Sequence, residues 1–262
     1  MNKLSSEEFV KEAKRIVEMG KREGVILRVI GACAVRIHCP NSERLLDKLD
    51  RNITDLDFIS YSKFEDKLDD LFKKLGYQPS LASTLYTHMY GQLRRIYVSE
   101  RTDEKVDVFF DKLEMCHTID LRNRLEVDYP TLSPSDILLE KMQIVKINEK
   151  DVKDALVLIL EHDIGEEDRE SLNSKYISQF LAKDWGAYYT VTKNLKKLEG
   201  LLSQYNVFDN DSKVLISQKI EKLLKVIEEE PKSLKWKMRA KIGTSKKWYR
   251  DVDEISMGPK IR

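Results

Sequence analysis

Ile53-Thr54-Asp55-Leu56-Asp57-Phe58-Ile59 alternates polar and apolar side chains with a period of two. Successive side chains of a β-strand leave opposite faces, so this stretch predicts a strand with Leu56 and Phe58 in the core and Asp55 and Asp57 side by side on the other face. Two adjacent carboxylates repel unless something positive lies between them. A hard divalent cation such as Mg²⁺ suits such a pair, because it takes one or two carboxylates and completes its shell with water and substrate phosphates. An Asp-x-Asp pair at a strand end is also ordinary turn chemistry in a chain rich in aspartate, so the flanking elements decide between the two.

Upstream, Ser5 to Glu23 has the spacing of an amphipathic helix, capped by Ser5 or Ser6 and stopped at Gly24. Val25 to Ile30 then reads as a short strand, and Gly31-Ala32-Cys33-Ala34-Val35-Arg36 as a small-residue turn feeding a second helix. The first backbone N–H groups of that helix suit a phosphate. A polar connection from Pro40 to Asn52 leads into the Asp-x-Asp strand. Downstream, Lys63 to Leu75 returns to helical spacing, and Leu85–Tyr90 with Leu93–Val98 suggest a hairpin turning at Gly91-Gln92. In Val106-Asp107-Val108-Phe109-Phe110, Asp107 projects opposite to its apolar neighbours, as a third carboxylate on a second strand. Three such groups on adjacent strands could hold two metal ions about 4 Å apart, the arrangement that serves in-line phosphoryl displacement.

The first half is therefore predicted to be a small α+β sheet domain, residues 1–130. From Ser133 the pattern is helical, with helices expected at about 134–147, 149–163, 170–184, 187–204, 212–229 and 231–241, so residues 131–262 read as a helical C-terminal domain. The expected fold class is α+β: a small mixed sheet with flanking helices, followed by a helical bundle.

The 262 residues carry 46 Lys plus Arg against 45 Asp plus Glu and are 41% hydrophobic, which excludes a disordered chain and a uniformly basic binder. The longest purely apolar run, Ala155 to Leu160, is too short to span a membrane. The N-terminus lacks the pattern of a signal peptide, so a cytoplasmic location without membrane attachment is expected. Cys33, Cys39 and Cys116 form no CxxC pair and read as buried free thiols. His38, His88, His117 and His162 are scattered without metal-ligand spacing, and GxxxxGK[ST], GxGxxG and HExxH are all absent.

Ile30-Gly31-Ala32-Cys33-Ala34-Val35, followed by Arg51, Thr54-Asp55-Leu56-Asp57-Phe58 and Val106-Asp107-Val108, resembles the nucleotidyltransferase superfamily that includes polymerase beta. More narrowly it is similar to the branch of abortive-infection toxin-type nucleotidyltransferases. The motif-bearing part covers roughly residues 25–110. The resemblance implies a mixed-sheet catalytic core that uses Mg²⁺ or Mn²⁺, with Asp55, Asp57 and Asp107 as metal ligands and catalytic groups. It implies nucleotide contacts from Gly31, Ala32, Arg51 and Thr54. It extends more weakly to Leu132–Met142 and Lys150–Ala155, which are similar to two helices after the catalytic core; by that analogy Lys141 contacts nucleotide phosphate and Asp151 or Asp154 orients it. Ala32 and Cys33 depart from the Gly or Ser and the Thr of the family turn, which leaves phosphate binding to backbone donors. The activity implied is transfer of a nucleoside monophosphate from a nucleoside triphosphate to an acceptor hydroxyl, the acceptor being RNA such as tRNA, a protein or a small molecule. The alternatives are a chain that keeps the fold but binds nucleotide or RNA without transfer, and a toxin–antitoxin-type interaction protein.

Pro231 to Arg250 holds eight cations and no carboxylate, interleaved with Trp236, Trp248 and Tyr249; setting these cations aside leaves 38 basic against 45 acidic residues. Such a run suits a nucleic-acid backbone with stacked bases, with Lys235, Lys237, Arg239, Lys246 and Lys247 as the candidate contacts. It equally suits an ordinary solvated helix whose aromatic residues pack inward.

Overall fold

The computed structural model describes residues 4–80, 94–100, 102 and 104–251. Helix α1 (Ser6–Arg22) starts at a capping box, in which the Glu8 N–H donates to Ser5 Oγ at 3.3 Å and the Ser5 N–H to Glu8 Oε2 at 2.7 Å. Strand β1 (Leu27–Ile30) runs directly into α2 (Gly31–His38), so the expected turn is already the first residue of a helix. The polar connection contains a short helix α3 (Glu43–Lys48) that its sequence had not announced, because only Leu46 in it is buried. Strand β2 (Leu56–Ser60) begins at Leu56, so Asp55 lies just outside it and Asp57 within it. Helix α4 (Glu65–Lys74), β3 (Tyr77–Pro79), β4 (Arg94–Ser99) and β5 (Lys105–Phe110) complete the sheet elements. Most of the expected hairpin around Gly91 lies outside the described residues.

The sheet has the order β1-β2-β5-β4-β3 and is mixed: β2 and β5 run parallel, the other pairs antiparallel. Its apolar side is sealed by α4, where Phe72 stacks on Tyr97 at 4.1 Å and meets Phe58 and Tyr77 edge-on; each such pair contributes about 0.5–1.5 kcal/mol beyond area burial. A two-stranded ribbon follows, β6 (Lys112–Glu114) with β7 (Thr118–Asp120).

After the cis Tyr129–Pro130 bond the chain joins the sheet edge. The Val29 N–H donates to Pro130 O at 3.0 Å and the Leu132 N–H to Val29 O at 3.2 Å. Ser133 then caps α5 (Pro134–Met142), all nine residues of which are buried. This helix stops before the expected residue 147 because Asn194 Nδ2 takes the carbonyls of Met142 and Ile144 at 2.9 and 2.8 Å. Helix α6 (Glu149–Glu161) follows, capped by Asn148. Two short parallel strands, β8 (Asp163–Gly165) and β9 (Ser171–Asn173), interrupt a region expected to be all helix. Helices α7 (Ser174–Leu181), α8 (Trp185–Leu201), α9 (Asn210–Glu229) and α10 (Leu234–Ile242) start at side-chain caps from Asn173, Asp184, Asp209 and Ser233. The fold class is α+β, a small mixed sheet with a helical C-terminal region.

Helix α2 packs on β1 and β2 and on α5 and α6, so one apolar cluster, from Phe9 to Ile227, passes through the change of composition near residue 130. A polar knot adds to this junction. Arg124 forks onto Asp136 at 2.9 Å and Asp168 at 2.7 Å while its guanidinium lies 3.8 Å over the Tyr176 ring, and the Tyr176 hydroxyl donates to Asp136 at 2.7 Å. Among the described residues no helix is long and apolar enough to cross a membrane.

Candidate active site

The parallel register of β2 and β5 sets Asp57 opposite Asp107, and the antiparallel register of β1 and β2 sets Ile30 opposite Asp57. The residue after Ile30 is Gly31, with φ +67°, and a Cβ there would fall 2.7 Å from Asp57 Oδ2. Glycine is required at this position twice over, for the left-handed backbone and for the close approach of the carboxylate. Asp55 is exposed at the entrance to the strand and accepts from the Thr54 hydroxyl at 3.3 Å. The carboxyl of Asp57 is held well above the usual carboxylate range by burial and by the charges of Asp55, Asp107 and Glu140. Its side chain has no hydrogen-bond partner among the described residues. Asp107 is raised by burial and by Asp55 despite its ion pair with Arg94, whose Nη2 lies 2.7 Å from Oδ2.

Glu140, on α5, was not anticipated. The edge pairing of residues 130–132 on β1 carries α5 past the end of that strand, and the Gly31 N–H donates to Glu140 Oε2 at 3.2 Å. Burial raises the Glu140 carboxyl, and Lys141 and this N–H only partly offset it. The signal in the sequence is weak: every residue of α5 is buried, so no polar face marks Glu140 as special. Arg94 likewise stood next to Arg95 with nothing to single it out.

The remaining expected residues lie together with these but have protein partners. Arg51 is buried and donates two bonds to Asp154, at 2.7 and 2.8 Å, and one to Asn52 O. Lys141 Nζ stands 3.2 Å from Asp154, 3.3 Å from Asp151 and 3.5 Å from Glu140. Burial alone would depress its ammonium; these carboxylates outweigh it and hold the group above its ordinary range. Ala32 is buried behind Gly31. The three cysteines are free and buried, and burial pushes the Cys33 and Cys39 thiols up, which leaves them inert.

The site thus gathers six carboxylates, Asp55, Asp57, Asp107, Glu140, Asp151 and Asp154, against three cations, Arg51, Arg94 and Lys141. The pairs Arg51–Asp154 and Arg94–Asp107 are close; the excess negative charge lies around Asp55, Asp57 and Glu140. Among the described residues no three His, Cys, Asp or Glu side chains are close enough together to hold a metal ion, and Asp107 is engaged by Arg94. The hard oxygen donors of Asp55 and Asp57 fit a divalent cation of the Mg²⁺ kind, whose shell needs only one or two carboxylates.

The basic run is remote in contacts from these residues. Arg239 donates to Gly243 O and Lys246 O and lies 4.6 Å over Trp185; Lys235, Lys237, Lys246 and Lys247 are exposed. Trp236 and Trp248 are half-buried and donate to Leu181 O and Thr190 Oγ1.

No protein-family model matches the sequence, and no curated protein matches it. Among solved structures the chain is similar to the antibiotic-resistance factor ANT(2'')-Ia, with 15% identity and a TM-score of 0.39, over 66% of this chain and 94% of that one. It is also similar to an antigenic nucleotidyltransferase-like protein from Paracoccidioides brasiliensis, with 13% identity and a TM-score of 0.40, over 72% of this chain and 94% of that one. At those TM-scores the likeness specifies neither substrate nor chemistry.

Proposed function

We propose that the chain is a nucleotidyltransferase that transfers a nucleoside monophosphate from a nucleoside triphosphate to an acceptor hydroxyl. The observation that carries this reading is the pairing of Asp57 with Asp107 on adjacent parallel strands, beside a glycine that opens a helix. Asp55 and Asp57 would hold the cation, Mg²⁺ or Mn²⁺; when bound it supplies charge neutralisation and polarisation of the triphosphate. Asp107, whose burial makes it a better base than an exposed aspartate, accepts the proton of the acceptor hydroxyl. The hydroxyl oxygen bonds to the α-phosphorus, the bond from that phosphorus to the bridging oxygen breaks, and pyrophosphate leaves. Arg94 orients Asp107 and releases one of its oxygens when the acceptor enters. Lys141, held cationic by its three carboxylate neighbours, orients α5 and with it Glu140.

One observation favours a second reading, in which the chain binds nucleotide without transferring it: the Gly31 N–H is already satisfied by Glu140. The two are separated by incubating the protein with each α-labelled nucleoside triphosphate, Mg²⁺ and total cellular RNA or protein. Label transfer with pyrophosphate release, lost in Asp57→Asn, is expected. Thermal stabilisation by nucleotide without pyrophosphate would establish the second reading, and neither response to any nucleotide would sink both.

A further inference from the structure

We propose that a cavity between the start of α8, α10 and the segment that follows α10 binds single-stranded nucleic acid, one nucleotide seated at a time. It encloses about 490 Å³, within the range of small-ligand sites, and none of its lining residues belongs to the candidate active site. The proposal therefore stands apart from the reading of Asp57 and Asp107.

The cavity owes its shape to a close approach. After α10 the chain doubles back, and Arg250 fastens it to the β6–β7 ribbon: its N–H donates to Cys116 O at 3.0 Å, Nε to Met115 O at 3.1 Å and Nη2 to Thr118 Oγ1 at 2.9 Å. Trp248 O then lies where a Cβ on Gly186 would be, at 2.5 Å, so only glycine admits this strap over the first turn of α8. The Trp248 indole N–H donates to Thr190 Oγ1 at 3.1 Å, and the same oxygen is 2.8 Å from His117 Nε2. Burial holds His117 down at about 4, so its ring is neutral at pH 7.

Charge in the cavity is mostly positive. Lys183, Lys235, Arg239, Lys247 and Arg250 line it, and Asp184 is the only carboxylate among its described lining residues. Lys247 pairs with Asp251 beside it, and Arg250 Nη1 lies 3.6 Å from Glu114, which leaves Lys183, Lys235 and Arg239 without a carboxylate partner among the described residues. Asp184 is itself occupied, accepting from the N–H groups of Gly186 and Ala187 at 2.6 and 3.1 Å. Lys183 and Lys235 are exposed and have no anionic partner among the described residues. Arg239, whose bonds go to carbonyl oxygens, lies over Trp185, which is stacked on Tyr189. Unpaired cations in a concave site concentrate phosphate.

The wall between these cations is aromatic. Trp236, Trp248 and Tyr249 are half-buried and meet their aromatic neighbours at 72°, 86° and 68°, so none of them has a parallel ring partner among the described residues. Every base offers such a face, and a groove of cations and rings that tracks a backbone is the usual device for sequence-tolerant binding of single strands. Lys183 was invisible to the reading of the basic run, being about fifty residues away in sequence. Lys237 and Lys246 carry cations but do not line the cavity.

The test is fluorescence anisotropy of a labelled oligouridylate and a labelled oligothymidylate of about 12 nucleotides, titrated with full-length protein across a salt series. Binding of either strand is expected. Lys183→Gln with Lys235→Gln, both exposed and harmless to folding, weakens it about tenfold and reduces the magnitude of the slope of log affinity against log salt by about 1.4, or 0.7 per lost contact. Tyr249→Leu weakens it about tenfold at every salt concentration. Asp57→Asn leaves it unchanged, which separates this site from the catalytic reading. The proposal is overturned by absence of binding at low salt, by unchanged affinity in the double lysine variant, by uridine monophosphate binding as tightly as the oligomer, or by equal competition from an acidic peptide.

Discussion

Asp57 is the residue on which most of the site's electrostatics converge. It is opposite Asp107, against Gly31, and within the fields of Asp55 and Glu140, with no hydrogen-bond donor of its own among the described residues. Like charges crowded in a partly buried site destabilise the fold, and such strain persists where function requires it. Asp57→Asn removes the charge and keeps the shape. Without divalent cations it should therefore raise the melting temperature, by about 2–4 °C for each 1 kcal/mol of repulsion relieved. Wild-type protein should gain stability on adding Mg²⁺, and the variant should not; calorimetry with and without the cation checks both. Asp57 was legible from the strand alternation. Glu140 was not, because its role comes from an N–H that lies 109 residues away in the chain.

At the scale of elements, α2 is held between the sheet and the pair α5–α6. Arg51 acts as the rivet. Its guanidinium forks onto Asp154 of α6, and its own carbonyl accepts from Arg36 of α2 at 3.0 Å. Both partners of the fork are almost fully buried. Removing one member of such a pair leaves an uncompensated charge, so Arg51→Ala should cost about 3–5 kcal/mol, read from urea denaturation. Arg51→Lys keeps the charge but loses the fork, and should recover only part of that loss. A direct nucleotide contact from Arg51 would instead show as a change in nucleotide affinity at unchanged stability. Helix ends show the same dependence on distant partners: α5 stops at Met142 because a side chain on α8 claims its carbonyls, and nothing near residue 142 announces this.

Across the whole molecule, buried groups make stability depend on acid. His117 is nearly inaccessible, and burial holds it at about 4 against an ordinary 6.5. Because the folded value is depressed, the neutral ring's contribution is complete above about 6.5 and is lost as pH falls toward 4. Burial lowers His38 and His162 in the same direction, while the raised carboxylates of the candidate active site work the opposite way. A difference measurement isolates the one residue: between pH 7 and pH 4 wild type should lose about 1–3 kcal/mol relative to His117→Gln, followed by chemical denaturation at each pH. A flat difference would mean that His117 is solvated in the folded state.

The longer strands and helices, their apolar faces, the cap of the first helix and the Asp-x-Asp motif follow from local periodicity and side-chain chemistry, and these the sequence alone determined. The alternation at residues 53–59 was enough to put Leu56 and Phe58 in the core and to direct Asp57 away from them. The short strands at 163–165 and 171–173 were not legible, because three-residue strands leave too little periodicity to read. Only the tertiary structure decided which charges share a site. Register brought Asp107 to Asp57, the pairing of residues 130–132 on the edge of β1 carried Glu140 to Gly31, and a returning strap joined Lys183 to the basic run. The physical reason is common to all three: charge acts through space over a few ångströms, whereas sequence patterns report only neighbours along the chain.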